Sequence, residues 1–186
     1  LDLLLTVVVS PILVILGSVA ALLIKVDSPG TIFFKQERIG YNGNGFIMYK
    51  FRSMYMDEST TTTRFALEDD DRITRVGRYL RNTRLDELPQ FLNVLRGEMS
   101  IIGPRPEQRG FAGRFENSIP FYTFRHIVRP GITGWAQTMY GYAADENQTR
   151  HKLEYDFFYI KNLSFWLDIV IIFKTVNTLL FVKGAR

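Results

Sequence analysis

The sequence predicts a mainly helical α/β domain carried on an N-terminal apolar helix. Three observations predict it: the uncharged run Leu3 to Ile24, two strand-like stretches around the reversal Tyr41-Asn42-Gly43-Asn44-Gly45, and apolar residues at helical spacing through much of the second half. At 186 residues the chain is sized for one domain. Lysine and arginine total 23 against 19 acidic residues, a net charge of +4 that suits anionic lipid or nucleotide phosphate. Mixed charge without a recognisable binding motif argues against nucleic acid as a partner. The absence of cysteine excludes disulfides, thiol catalysis and thiolate metal sites. His126 and His151 lack metal-ligand spacing and read as structural or surface residues. Fifteen Phe and nine Tyr fit either a water–headgroup interface or an aromatic core.

Leu3 to Ile24 is long enough for a helix that approaches the roughly 30 Å of a bilayer interior. Ser10-Pro11 interrupts it, because proline lacks a donor and crowds the carbonyl four residues back. A kinked spanning helix is the ordinary outcome, and a helix that enters, bends and returns is the alternative. The run has no basic leader and no convincing small-residue cleavage signal, which argues against a removed signal peptide. A turn at 25–30 leads to a strand over 31–40, the reversal, and a returning strand over 46–54. Lys50 and Arg52 share a face of that strand by the two-residue period, as a phosphate cradle or a solvated edge.

Residues 55–71 read as a polar connection, and the acidic run Glu68 to Asp71 as a helix cap or solvated loop. A basic helix over 72–81 places Arg78 and Arg81 on one face. Thr83 then caps a helix whose stripe is Leu85, Leu88, Leu92 and Leu95, with Gly97 as its stop. Asp86 and Glu87 lie beside that stripe. Asp86 fits a capping-box acceptor; equally, free amides in a first turn would keep a carboxylate ionised as a nucleophile or metal ligand.

Arg105 stands between Pro104 and Pro106, a rigid presentation of a guanidinium suited either to phosphate or to a salt bridge with Glu107. Residues 108–125 read as helical or irregular surface. Arg129, in Arg129-Pro130-Gly131-Ile132-Thr133-Gly134-Trp135, is a further phosphate candidate, with Trp135 assigned to packing or membrane contact. A charged aromatic helix over 147–161 places Leu153, Asp156, Phe157 and Ile160 at helical spacing. Leu163 to Val182 is apolar but carries Asp168 and Lys174, which favours a helix along an interface or packed on the domain over a second span.

In order along nearly the whole chain, Ser10-Pro11, Lys50-Phe51-Arg52-Ser53-Met54, Leu85-Asp86-Glu87-Leu88-Pro89-Gln90, Gly103-Pro104-Arg105-Pro106, Arg129 to Gln137 and Tyr155 to Asn162 resemble the bacterial sugar transferases, monotopic phosphoglycosyl transferases acting on polyprenyl phosphate. The resemblance implies a re-entrant membrane helix (1–24) on a cytoplasmic-face catalytic domain with interfacial C-terminal helices (25–186), at the bacterial inner membrane. It implies the catalytic part of a larger exopolysaccharide-type enzyme. It further implies that Asp86 attacks the β-phosphorus of a UDP-sugar, that UMP leaves, and that polyprenyl (undecaprenyl) phosphate takes the sugar-phosphate from the resulting ester. Glu87 would bind Mg²⁺ with Asp86 or position a proton-bearing group, and Lys50, Arg81, Arg105 and Arg129 would hold phosphate. Donor selectivity is expected from residues 140–146 or 55–71, and a homodimer through exposed apolar surface is a further expectation. Two rivals fit the anchor and basic charge: a noncatalytic membrane scaffold for glycan assembly, and a membrane-associated phosphohydrolase.

Overall fold

The computed structural model describes residues 2–55, 70–141 and 145–181. Most of the 55–71 connection, Tyr142 to Ala144 and the terminal Gly184-Ala185-Arg186 lie outside them. The apolar run forms one helix, Asp2–Asp27 (α1), with Pro11 inside it. Proline at position 11 cannot donate to the carbonyl of Val7, and the Ser10 hydroxyl donates to that oxygen instead at 2.8 Å. The Ser-Pro pair thus supplies its own repair. By length and apolarity α1 could cross a membrane, with mean hydropathy 2.8 over 18 residues.

Both ends of α1 hold the same domain. At the start, an Asp2 carboxylate oxygen accepts from the Ile101 amide at 3.3 Å. Toward the end, Ala20 and Ile24 are buried against Phe51 and Leu80, and Asp27 accepts from the Val76 amide at 3.1 Å. Between these anchors Ile12, Val14 and Ile15 are more than 60% exposed. Arg52, read from sequence as a phosphate or edge cation, does neither job. It is buried and donates to the Ser28 and Pro29 carbonyls, fixing the chain as it leaves α1.

Strands Phe33–Ile39 (β1) and Gly45–Phe51 (β2) form the expected antiparallel hairpin, in register from Phe33 opposite Phe51 to Ile39 opposite Gly45. Asn42 and Gly43 take positive φ in the 3₁₀ reversal Tyr41–Gly43. Helix Arg75–Asn82 (α2) is capped by Thr74, whose hydroxyl accepts from the Gly77 amide at 2.8 Å. Helix Gln90–Leu95 (α3) lies against β2. Strands Ser100–Ile102 (β3) and Gly131–Thr133 (β4) pair in parallel. Helices Arg109–Ser118 (α4), Trp135–Met139 (α5), Glu146–Lys161 (α6) and Phe165–Phe181 (α7) complete the described fold.

The core is a chain of small clusters strung along the hairpin. Phe51 joins Ala20, Ile24 and Leu80 at the α1 end, Phe46 and Met48 meet Val94 and Met99 in the middle, and Ile39 joins Ala112, Ile119, Tyr122 and Leu153 at the far end. A fourth cluster seats Ile171 of α7 on Ile102 and Tyr159. The charges in α7 are answered from the domain: the Tyr159 hydroxyl donates to Asp168 at 3.1 Å, and Lys174 lies over the Trp135 ring at 5.8 Å. Trp166 and Phe173 project from α7 with more than 70% exposure. Residues 108–125 are less superficial than their sequence suggested, since Phe111, Ala112, Tyr122 and Arg125 are all buried.

Two sequence expectations around the carboxylate pair need correction. Thr83 closes α2 rather than opening the next helix: its hydroxyl donates back to the Tyr79 and Leu80 carbonyls at 2.8 and 3.2 Å. The capping box with Asp86 is therefore not formed. The leucine stripe is split, because Leu85 and Leu88 pack into the α1 cluster whereas Leu92 and Leu95 are nearly half exposed.

Candidate active site

Asp86 and Glu87 occupy a short 3₁₀ turn, Leu85–Glu87, between α2 and α3. Arg84 enters it at φ 55°, a left-handed conformation that costs a residue with a Cβ about 1 kcal/mol. That kink redirects the chain so that Leu85 and Leu88 reach the α1 cluster while the two carboxylates between them face β2. Their height above the apolar helix is thereby fixed from both sides.

The pair is asymmetric. Glu87 accepts from Lys50 Nζ at 2.9 Å and from Arg105 at 2.5 Å on one oxygen, with a longer 3.4 Å contact from Arg105 to the other. Burial pushes its carboxyl up, but Arg105 and Lys50 together outweigh burial and hold it well below the usual range. These ion pairs stabilise the fold at neutral pH, and that contribution is lost as pH falls through the depressed value. Asp86 is different. It sits 4.0 Å from Lys50, accepts no hydrogen bond among the described residues, and is pushed up by burial, an effect Lys50 only partly offsets. No α-helix begins at Asp86, so the first-turn amides invoked from sequence are not what ionises it.

Each partner is placed by backbone contacts. Lys50 follows Tyr49 on β2, whose amide donates to the fully buried Asn93 side chain at 3.1 Å, while the Asn93 amide group donates to the Ile47 carbonyl at 2.7 Å. Arg105 rides on a loop in which four consecutive carbonyls are engaged. Pro104 O accepts from the Gly131 amide at 2.9 Å, Arg105 O from Arg125 at 2.9 Å, Pro106 O from Arg38 at 3.0 Å, and Glu107 O from the Ile39 amide at 2.9 Å. The rigidity of the two flanking prolines is thus joined by hydrogen bonds from two distant main-chain amides and two distant arginine side chains.

Of the sequence-predicted residues, Lys50 and Arg105 join the pair directly. Arg81 acts on Asp86 only through its charge, and its side chain makes no hydrogen bond or ion pair among the described residues. Arg129 is exposed and makes no hydrogen bond or ion pair among the described residues. Arg105 pairs with Glu87 rather than with Glu107, whose neighbours are Arg38 and Lys152 at 3.9 and 3.7 Å. Sequence reasoning missed Asn93 and Arg125. Asp156 carried a signal, a carboxylate within the apolar spacing of α6, that was not followed to its partner. His126 is buried and His151 exposed, each apart from the pair.

A family profile described as bacterial sugar transferase matches residues 1–182. A UDP-N-acetylgalactosamine-undecaprenyl-phosphate N-acetylgalactosaminephosphotransferase of Aeromonas hydrophila is 54% identical over 185 residues, all of this chain and 44% of that protein. A UDP-glucose:undecaprenyl-phosphate glucose-1-phosphate transferase of Escherichia coli (strain K12) is 44% identical over 159 residues, 84% of this chain and 34% of that protein. One of the same description from Caulobacter vibrioides is 41% identical over 184 residues, 98% of this chain and 67% of that protein. The chain thus spans less than half of the Aeromonas and Escherichia proteins. With the profile covering nearly every residue around the Asp86–Glu87 turn, this chain belongs to the bacterial sugar transferase family.

Proposed function

We propose that the protein transfers a sugar-1-phosphate from a UDP-sugar to undecaprenyl phosphate and releases UMP. The observation that carries the reading is the asymmetry of the pair: Glu87 is fully committed to two cations, while Asp86 keeps its oxygens free beside them. In the first step an Asp86 oxygen attacks the β-phosphorus, the bond from that phosphorus to the bridging oxygen breaks, and UMP departs with that oxygen. The product is a sugar-phosphoryl ester of Asp86. A phosphate oxygen of the lipid then attacks the same phosphorus, and the Asp86 carboxylate is regenerated. Its raised pKa makes Asp86 a better nucleophile once ionised, and Glu87 serves to hold Lys50 and Arg105 where the diphosphate lies.

With Asp86 ionised, the charges of Lys50, Arg105, Asp86 and Glu87 balance, so an incoming diphosphate needs further positive charge. Arg81 can supply part of it, and Arg129 the remainder if the donor reaches that far. Among the described residues no group of three or more His, Asp or Glu side chains is gathered to hold a metal, so a magnesium ion would be held by Asp86 oxygens together with the donor's phosphate oxygens, all hard ligands, and by Glu87 only where it yields a cation contact. When bound, Mg²⁺ neutralises charge on the diphosphate.

The α1 anchors favour a re-entrant arrangement. A domain held at both ends of the helix lies on one side of the bilayer, so the ends of α1 belong on that side too. Exposed Leu92 and Leu95 of α3 and Trp166 and Phe173 of α7 would meet the same interface, here the cytoplasmic face of a bacterial inner membrane.

The test is UMP release from UDP-N-acetylgalactosamine, UDP-glucose and other UDP-sugars, with Mg²⁺, with and without undecaprenyl phosphate. Lipid-dependent release with lipid-linked sugar diphosphate as product is the expected outcome. Release of free sugar phosphate without lipid would instead favour the hydrolase, and none from any donor the scaffold. The acid limb of kcat/KM is expected above the ordinary Asp value of 3.8, because burial raises Asp86 and activity needs it ionised. Lys50→Gln removes a charge that lowers that pKa, so the limb moves further up in pH and the rate falls roughly 10²-fold. A limb that stays in place would show that Lys50 does not act on the titrating carboxylate.

A further inference from the structure

We propose that Arg125 and Asp156 are positioning residues for Arg105. This rests on the transferase reading above, in which Arg105 meets the donor diphosphate. The Arg125 guanidinium is used on three sides. Its Nη2 donates both to the Arg105 carbonyl at 2.9 Å and to Asp156 Oδ2 at 2.8 Å, its Nε donates to the same Asp156 oxygen at 3.1 Å, and its Nη1 donates to the Tyr122 hydroxyl at 2.8 Å. Arg125 and Asp156 are 4% and 2% exposed, so neither serves solubility.

A buried ion pair is a poor device for stability alone, because apolar side chains of similar volume often serve folding as well or better. What apolar residues cannot do is donate to a carbonyl. Arg125 uses Nη2, shared with Asp156, to hold the backbone carbonyl of the residue whose own guanidinium holds Glu87. Asp156, on α6, fixes the plane of Arg125 through two bonds, and Tyr122 fixes its other arm. The route is contiguous: α6 orients Arg125, Arg125 sets the Arg105 backbone, and that backbone aims the phosphate-facing side chain. Arg38 on Pro106 works from the other flank but has no comparable carboxylate bracing, its nearest being Glu107 at 3.9 Å.

The experiment is a double-mutant cycle on the full chain in lipid nanodiscs containing undecaprenyl phosphate, reading kcat and donor KM for Asp156→Asn, Arg105→Gln and the double variant. If Asp156 acts through Arg105, Asp156→Asn lowers kcat on the order of 10²-fold with KM little changed, and adding it to Arg105→Gln costs less than about twofold more. Losses that multiply fully, or an unchanged kcat in folded Asp156→Asn, overturn the proposal. Should Asp156→Asn fail to fold, Tyr122→Phe, which removes one acceptor from Arg125, enters the same cycle with a smaller expected loss. A readout independent of turnover separates this from the transferase reading: in isotope-labelled protein the Arg105 Nη–H signals are expected to be resolved and shifted by the Glu87 pairing, and to move toward an averaged position in Asp156→Asn or Tyr122→Phe. An Arg105 signal unaffected by both variants overturns the positioning role even if the protein transfers no sugar phosphate.

Discussion

Asp86→Asn is expected to abolish lipid-dependent UMP release, by at least about 10⁴-fold in kcat, while leaving the fold intact. The asparagine amide cannot form the ester, so both half-reactions lose their shared intermediate. Structural damage is expected to be small, because Asp86 accepts no hydrogen bond among the described residues and its burial already disfavours charge. Removing that charge relieves a desolvation cost, and thermal stability should hold or rise slightly. Glu87→Gln provides the contrast. It removes the negative charge that pairs with Lys50 and Arg105 and leaves one neutral acceptor oxygen to two part-buried cations, so it should lower stability as well as rate. Rapid-quench detection of a sugar-phosphoryl adduct in wild type, absent in Asp86→Asn, identifies the nucleophile directly. Comparable turnover in the folded Asp86→Asn protein would remove Asp86 from that role.

The second large effect is on folding. Gly131→Ala is expected to cost about 3 kcal/mol or more, read as a fall in the thermal midpoint or as failure to accumulate folded protein. A Cβ at 131 would stand 2.1 Å from the Gly103 amide nitrogen and 2.4 Å from the Thr133 carbonyl oxygen. Both are backbone atoms, so no side chain can rotate away. Gly103 and Gly134 meet the same constraint, with a Cβ 2.4 Å from Arg129 O and 2.1 Å from Gly103 O respectively. None of the three needs positive φ; close approach of two main chains is the reason for glycine here. Since Arg105 lies two residues beyond Gly103, any molecules that do fold should also show weakened activity. Gly110→Ala, with nothing within 4 Å of the added carbon, is the control expected to be silent.

Much of this was legible in the sequence wherever a local pattern decides the structure. The hairpin was marked by its Asn-Gly reversal, α6 by its spacing, and the candidate site by an acidic pair and a proline-flanked arginine, which the fold brings together. The errors came where tertiary contacts outvote local propensity. Thr83 has the chemistry of a cap at either helix end, and only the position of Tyr79 and Leu80 behind it decides which. Arg52 and Lys50 share a strand face by period, yet Arg52 lies past the end of β2 and turns to the carbonyls after α1. Asn93 and Arg125 act on residues 20 or more positions away in sequence, through backbone groups that leave no trace in side-chain patterns.

The seating of Leu85 and Leu88 on the α1 cluster has a kinetic meaning under the proposed reaction. Because the two carboxylates are pinned at one level relative to an apolar helix, the lipid substrate arrives by lateral diffusion and never has to leave its leaflet. Its effective concentration is then a number of molecules per unit area. The same amount of acceptor dispersed in more lipid is a more dilute substrate even when nothing has changed in the surrounding water, whereas the nucleotide donor is felt as an ordinary solute. One enzyme thus draws its two substrates from reservoirs of different dimension, and the turn at Leu85–Leu88 is where the two meet.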